Sequence, residues 1–129
     1  MINDVEKILF TEEQLRRRVE ELGEQLTADY AGKSPVLVSV LRGSYIFMAD
    51  LTRQVKLPIT VDFMVLSSYG SGTSSSGQVE IKKDLSDSIE GKDLIIVEDI
   101  LDSGNTLYYL RDVLKARKPA SIRICTLLD

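Results

Sequence analysis

Apolar residues recur at Leu15, Val19, Leu22 and Leu26, with acids and arginines between them. A step of three or four positions puts all four on one helical stripe, so the pattern predicts an amphipathic helix over 12–30. Thr11 and Gln14 have the spacing of a capping box, which sets its start. The run Arg16-Arg17-Arg18 lies on the polar side and reads as a solvated face rather than an anion site. After a turn at Gly32–Pro35 the pattern changes. Val36–Val40 and Asp93–Val97 are short and nearly all apolar, as strands covered on both faces are. Tyr45–Val55 predicts a second helix, and Pro58 breaks the chain after it. Ile59–Ser67 predicts another strand and Val79–Lys82 a short one. Glu98–Gly104 reads as a polar loop. Leu107, Leu110 and Leu114 mark a helix over Thr106–Lys118, which Pro119 stops, and Ser121–Leu128 closes the series as a strand. This alternation predicts a single α/β domain over residues 1–129, with a mostly parallel twisted sheet flanked by helices. No repeat or interdomain linker interrupts it.

Composition narrows the chemistry. Apolar residues make up 43% of the 129 and charged residues 28%, an ordinary globular mixture. No apolar run approaches the roughly 20 residues of a membrane span. Met1–Phe10 carries Asp4 and Glu6 and has no signal core, so the expectation is a cytoplasmic protein without a membrane partner. The net charge of −4 argues against a surface built mainly for nucleic acid. The lone Cys125 cannot form an internal disulfide and reads as a small buried hydrophobe. There is no histidine, which removes His-based acid–base catalysis, Ser–His–Asp triads and His-ligated zinc.

The densest chemistry lies in Val97-Glu98-Asp99-Ile100-Leu101-Asp102-Ser103-Gly104-Asn105-Thr106, between a buried strand and a helix. In a parallel sheet, ligands gather at this carboxyl edge. The free amides of a helix N-terminus suit a phosphate, Ser103 and Thr106 add hydroxyl donors, and Gly104 permits a close backbone path. Carboxylates repel phosphate, so Glu98 and Asp99 suit a different ligand, either sugar hydroxyls or a hydrated Mg²⁺. Asp102 has the chemistry of a general base. Acids that only cap the helix and face water would explain the same residues. The coincidence of acids, glycine and hydroxyls at one strand-to-helix junction favours a ligand loop. The Gly-x-x-x-x-Gly-Lys-Ser/Thr pattern is absent, which disfavours an ordinary P-loop NTPase. Ser68–Gly77 holds five Ser and three Gly, and on composition alone it fits a mobile cover and an idle hairpin equally.

Val97–Thr106 resembles the 5-phosphoribosyl diphosphate (PRPP) signature of the type I phosphoribosyltransferases. Val40-Leu41-Arg42-Gly43-Ser44, Phe47–Leu51, Val61-Asp62-Phe63, Ser67-Ser68-Tyr69-Gly70 and Lys83-Asp84-Leu85 resemble that family's bacterial hypoxanthine-guanine branch, in order and spacing. The likeness covers essentially the whole chain. It implies the family's core fold and a purine-salvage reaction of PRPP with a 6-oxopurine (hypoxanthine or guanine), giving IMP or GMP and pyrophosphate. It also implies Mg²⁺ as cofactor and a homo-oligomer, dimer or tetramer. By resemblance, Asp102, Ser103, Gly104, Asn105 and Thr106 hold the 5′-phosphate, and Asp102 is the catalytic base. Glu98 and Asp99 engage the ribose, directly or through the metal. Leu41, Arg42 and Gly43 form the pyrophosphate loop, where many relatives have Lys at the Arg42 position. Ile100 packs on the base, and Ser68 and Tyr69 belong to a lid loop over 67–78.

One departure matters. In the family the chain continues past the strand that ends near Asp129 and supplies a Lys and an aromatic to the base, an Asp to a second Mg²⁺ and an Arg near pyrophosphate. No position here matches them. Lys115, Arg117 and Lys118 are not reassigned, since helix-face solvation or the helix dipole accounts for them. The expectation is a C-terminally shortened chain whose uncovered sheet surface promotes self-association. Two other readings stay open: a PRPP- or nucleotide-binding module without catalysis, and an inactive fragment of the enzyme.

Overall fold

A computed structural model of the chain describes residues 10–41, 43–68, 79–100 and 105–128. Helix α1 (Glu12–Asp29) opens with the expected capping box. The Gln14 amide donates to Thr11 Oγ1, and the Thr11 amide donates to Gln14 Oε1, both at 2.9 Å. Strand β1 (Val36–Leu41) leads into α2 (Tyr45–Thr52). Then come β2 (Thr60–Ser68), β3 (Val79–Lys83) and β4 (Asp93–Ile100). Helix α3 (Asn105–Lys115) and β5 (Ser121–Leu128) complete the order.

The sheet runs β3-β2-β1-β4-β5, with β3 antiparallel at one edge and the other four strands parallel. Period-two alternation divides the apolar runs between two layers. Leu37, Ile95, Val97 and Cys125 face α1 and α2, meeting Val19, Leu22, Leu26, Phe47, Met48 and Leu51. Val36, Val38, Met64, Leu94 and Ile96 face α3, meeting Leu107, Leu110 and Leu114. Each such side chain stabilises by about 1.5–3 kcal/mol when fully buried. The exposed pairs of Arg16 and Arg17 with Glu13 add only tenths each. The arginine run is therefore a solvated face, as read from the sequence, and the core carries the fold.

Three element ends differ from the sequence reading by three residues, the others by one or none. Helix α2 stops at Thr52 instead of Val55, because Gln54 N bonds Leu51 O in a tightened turn that sends Val55 into the core. Helix α3 stops at Lys115 instead of Lys118: Lys118 N bonds Lys115 O and Lys118 turns left-handed, φ 61°, ahead of Pro119. Strand β4 runs to Ile100 instead of Val97, since Glu98 and Ile100 register against Thr126 and Leu128 of β5. Glu98 and Asp99 are thus strand residues. Cys125 is buried, and burial pushes its thiol pKa up. Among the described residues no helix is long and apolar enough to cross a membrane.

Candidate active site

Strands β2, β1, β4 and β5 are parallel, so their carboxyl ends share one edge. The chain after β1 turns toward β2, whereas β4 lies on the opposite side of β1. The edge between β1 and β4 is therefore the topological switch point, where open α/β sheets bind ligands. Leu41 ends β1 there and Gly43 follows; Glu98, Asp99 and Ile100 end β4 beside them. A Cβ built on Gly43 would lie 3.9 Å from each carboxylate oxygen of Asp99. Among the described residues, no side chain stands between Gly43 and that carboxylate. A cavity of about 910 Å³ opens alongside, bordered by Gly43, Asp99, Leu127, Phe47 and Val19.

Burial raises the Glu98 pKa from its ordinary 4.5 to about 7, and the hydrogen bond and negative charge of Asp99 push it the same way. Two crowded carboxylates and open space form an all-oxygen donor set suited to a hard divalent cation. Among the described residues no cluster of three or more His, Cys, Asp or Glu exists to hold a metal alone. Mg²⁺ does not require one: it binds through one or two carboxylates and completes its shell with water and substrate phosphate. The pair Glu98 and Asp99 fits it.

The raised pKa fixes a sign for stability. Below pH 4.5 the carboxyl is neutral folded or unfolded and contributes nothing. As pH rises from 4.5 to 7 the unfolded chain releases this proton first, so stability falls across that window and stays lower above it. The group is only part-buried and solvent screens it, so the loss is discounted to about 1–2 kcal/mol. Glu98→Gln in metal-free buffer should therefore gain stability over the parent at pH 8 but not at pH 4, as read by urea melts. An equal difference at both pH values would remove Glu98 from this strained pairing.

Asn105 opens α3 at this same edge and Thr106 lies in its first turn, so the helix N-terminus faces the switch point. That turn holds no acid. Of the other residues singled out in the sequence, Arg42, Tyr69, Asp102, Ser103 and Gly104 lie outside the described residues, as does 69–78 of the lid segment. Ser68 ends β2 on the same edge. The topology thus brings the ends of every candidate segment to one side of the sheet.

Two acids in the family-like motifs carry structural contacts that the sequence reading missed. Asp62, 7% exposed, accepts the Phe63 amide at 2.8 Å and the Ser86 amide at 2.9 Å, tying β2 to the segment after β3. Asp84 takes both guanidinium nitrogens of Arg117 at 2.9 Å, which holds its carboxyl below the ordinary value. Arg117 is thus an anchor for this segment, beyond the solvation and dipole effects read from the sequence. For Asp62, an acid inside the apolar run Val61-Asp62-Phe63 was the available clue.

The family model described as the phosphoribosyl transferase domain matches residues 7–129. A hypoxanthine-guanine phosphoribosyltransferase of Streptococcus thermophilus is 55% identical over 126 residues, 98% of this chain and 70% of that protein. Crystal structures agree. The hypoxanthine-guanine phosphoribosyltransferase of Bacillus anthracis superposes with a TM-score of 0.87 at 45% identity, covering 92% of this chain and 70% of that one. The hypoxanthine phosphoribosyltransferase of Staphylococcus aureus gives 0.87 at 45% identity, covering 98% of this chain and 71% of that one.

Proposed function

This chain belongs to the phosphoribosyltransferase family, and we propose that its switch-point edge joins hypoxanthine or guanine to PRPP, giving IMP or GMP and pyrophosphate. The observation that carries the reading is the facing of Gly43 and the Asp99 carboxylate across β1 and β4, with α3 opening beside them.

In this reading the α3 N-terminus and the segment before it hold the 5′-phosphate through unpaired amides and hydroxyls, Asp102–Thr106 being the residues that the resemblance implies. Glu98 and Asp99 accept from the ribose hydroxyls, or hold Mg²⁺. When bound, the metal would supply charge neutralisation at the leaving pyrophosphate. Leu41, Arg42 and Gly43 receive the pyrophosphate, and Ile100 packs on the base. The bond from the ribose anomeric carbon to pyrophosphate breaks as the purine imidazole nitrogen bonds to that carbon. The nitrogen's proton passes to Asp102. The anomeric carbon is cationic in character at this point, and water would intercept it, which gives a segment such as 67–78, with Ser68 and Tyr69, a reason to cover the site. The exposed apolar side chains Tyr45, Ile46, Val61 and Phe63 support a homo-oligomer.

The test is formation of IMP from hypoxanthine, PRPP and Mg²⁺, with the melting temperature read alongside. PRPP with Mg²⁺ at about 100 times its Kd should stabilise the fold by about 2.7 kcal/mol, and excess chelator should abolish most of that gain. A PRPP-dependent shift without product leaves a binding module; no shift at all removes the PRPP site.

A further inference from the structure

Strand β1 and helix α2 are joined by a buried pair of hydroxyls that the reaction above does not use. Ser39 and Ser44 are both fully buried. Their Oγ atoms lie 2.7 Å apart, and the Ser44 hydroxyl donates to the Val40 carbonyl oxygen at 2.7 Å. A serine hydroxyl carries one proton. Ser44 gives its proton to Val40, so at the other contact it accepts, and Ser39 donates. The bonds run in one direction: Ser39 to Ser44, then Ser44 to the Val40 carbonyl. They close a ring across the turn by which β1 passes into α2.

This arrangement has a local cost. Ser44 occupies the N-cap position of α2, yet its side chain makes no cap bond. An N-cap serine ordinarily satisfies one of the first free amides of its helix and stabilises it. Here the hydroxyl turns back toward the strand, and Met48 N bonds Ser44 O at 2.9 Å as the helix begins. Helix stability is given up at the point where the turn is pinned. The pinned turn carries Gly43, which faces Asp99 across the switch point.

We propose that Ser39 and Ser44 are positioning residues that hold the β1–α2 turn at a fixed height over Asp99, so that the pyrophosphate end of the substrate meets a preformed turn. The proposal rests on the phosphoribosyltransferase reading, and neither serine touches substrate in it. A serine pair that only satisfies itself in the core would affect every ligand alike, through stability. A pair that sets this turn affects the pyrophosphate end and spares the 5′-phosphate end, which α3 holds.

The experiment measures calorimetric affinities of inorganic pyrophosphate and of IMP, each with Mg²⁺, for the parent chain, Ser39→Ala, Ser44→Ala and Ser39→Thr. The double variant Ser39→Ala/Ser44→Ala is included because removing both hydroxyls leaves neither one unpaired, so it should fold even where a single variant fails. Pyrophosphate affinity should fall by about tenfold in every alanine variant, the loss expected of one hydrogen bond's contribution. IMP affinity should stay within about twofold, and Ser39→Thr, which keeps the donor, should bind pyrophosphate within about threefold of the parent. Unchanged pyrophosphate affinity overturns the proposal, as does an equal loss of both ligands. A parent chain that binds neither ligand overturns the functional reading and this proposal together, so the two failures are distinguishable.

Discussion

Asp102→Asn should lower the turnover of hypoxanthine with PRPP by roughly 10²–10⁴-fold and leave PRPP affinity within a few-fold of the parent, if the proposed base is the base. The magnitude is that of a positioned general base. Asparagine keeps the shape and the hydrogen-bonding capacity of the side chain but cannot take the proton from the purine nitrogen. Binding should survive, because in the proposed reading phosphate is held chiefly by backbone amides and hydroxyls, which the substitution leaves in place. The chain has no histidine, so carboxylates are its natural bases near neutral pH. A second carboxyl competes for the role: Glu98, raised to about 7, has a pKa suited to a base at that pH. Steady-state kinetics on Asp102→Asn and Glu98→Gln, with PRPP affinity measured calorimetrically, separates the two. Near-normal turnover by Asp102→Asn with a collapse in Glu98→Gln would move the base to Glu98.

The layers of the fold were legible because both faces of the sheet are covered. Val36–Val40 and Asp93–Val97 suited strands with apolar neighbours above and below, and the periodic leucines of α1 and α3 supplied the covers. The strand order was not legible, since it depends on which distant runs pair. The switch point between β1 and β4 follows from that order, so the facing of Gly43 and Asp99 had no local signal. The end of β4 was missed for a related reason. Glu98 and Asp99 are polar and read as loop, and only registry with Thr126 and Leu128 keeps them in the sheet. Arg117 reaches Asp84 across 33 positions, and no periodicity encodes such a pair. Ser39 is a single small polar residue inside an apolar strand. Its meaning appears only when Ser44 folds back against it. The candidate ligand residues were legible as chemistry, but their grouping depends on topology.

Gly23→Ala should destabilise the fold, a sign that runs against helix propensity. On an open helix face, Gly to Ala gains about 0.5–1 kcal/mol. At position 23 the added Cβ would sit 2.3 Å from Gln54 Cβ, 2.8 Å from the Gln54 carbonyl oxygen and 2.9 Å from its carbonyl carbon. Those atoms belong to or adjoin the backbone and cannot swing aside, so α1 and the turn that follows α2 would have to separate. Overpacking of this kind costs about 1–3 kcal/mol or more, which outweighs the propensity gain. Gly91→Ala is the control. Gly91 has φ 75° and no atom within 4 Å of an added Cβ. That change should cost about 1–2 kcal/mol of left-handed strain without moving one element against another. The readouts therefore differ in kind. Both variants should melt earlier, but only Gly23→Ala should also weaken ligand binding, because α1 and α2 both border the cavity beside Asp99. Thermal melts with and without PRPP and Mg²⁺ read both effects. A higher melting temperature for Gly23→Ala would mean that α1 and the turn after α2 do not meet this closely.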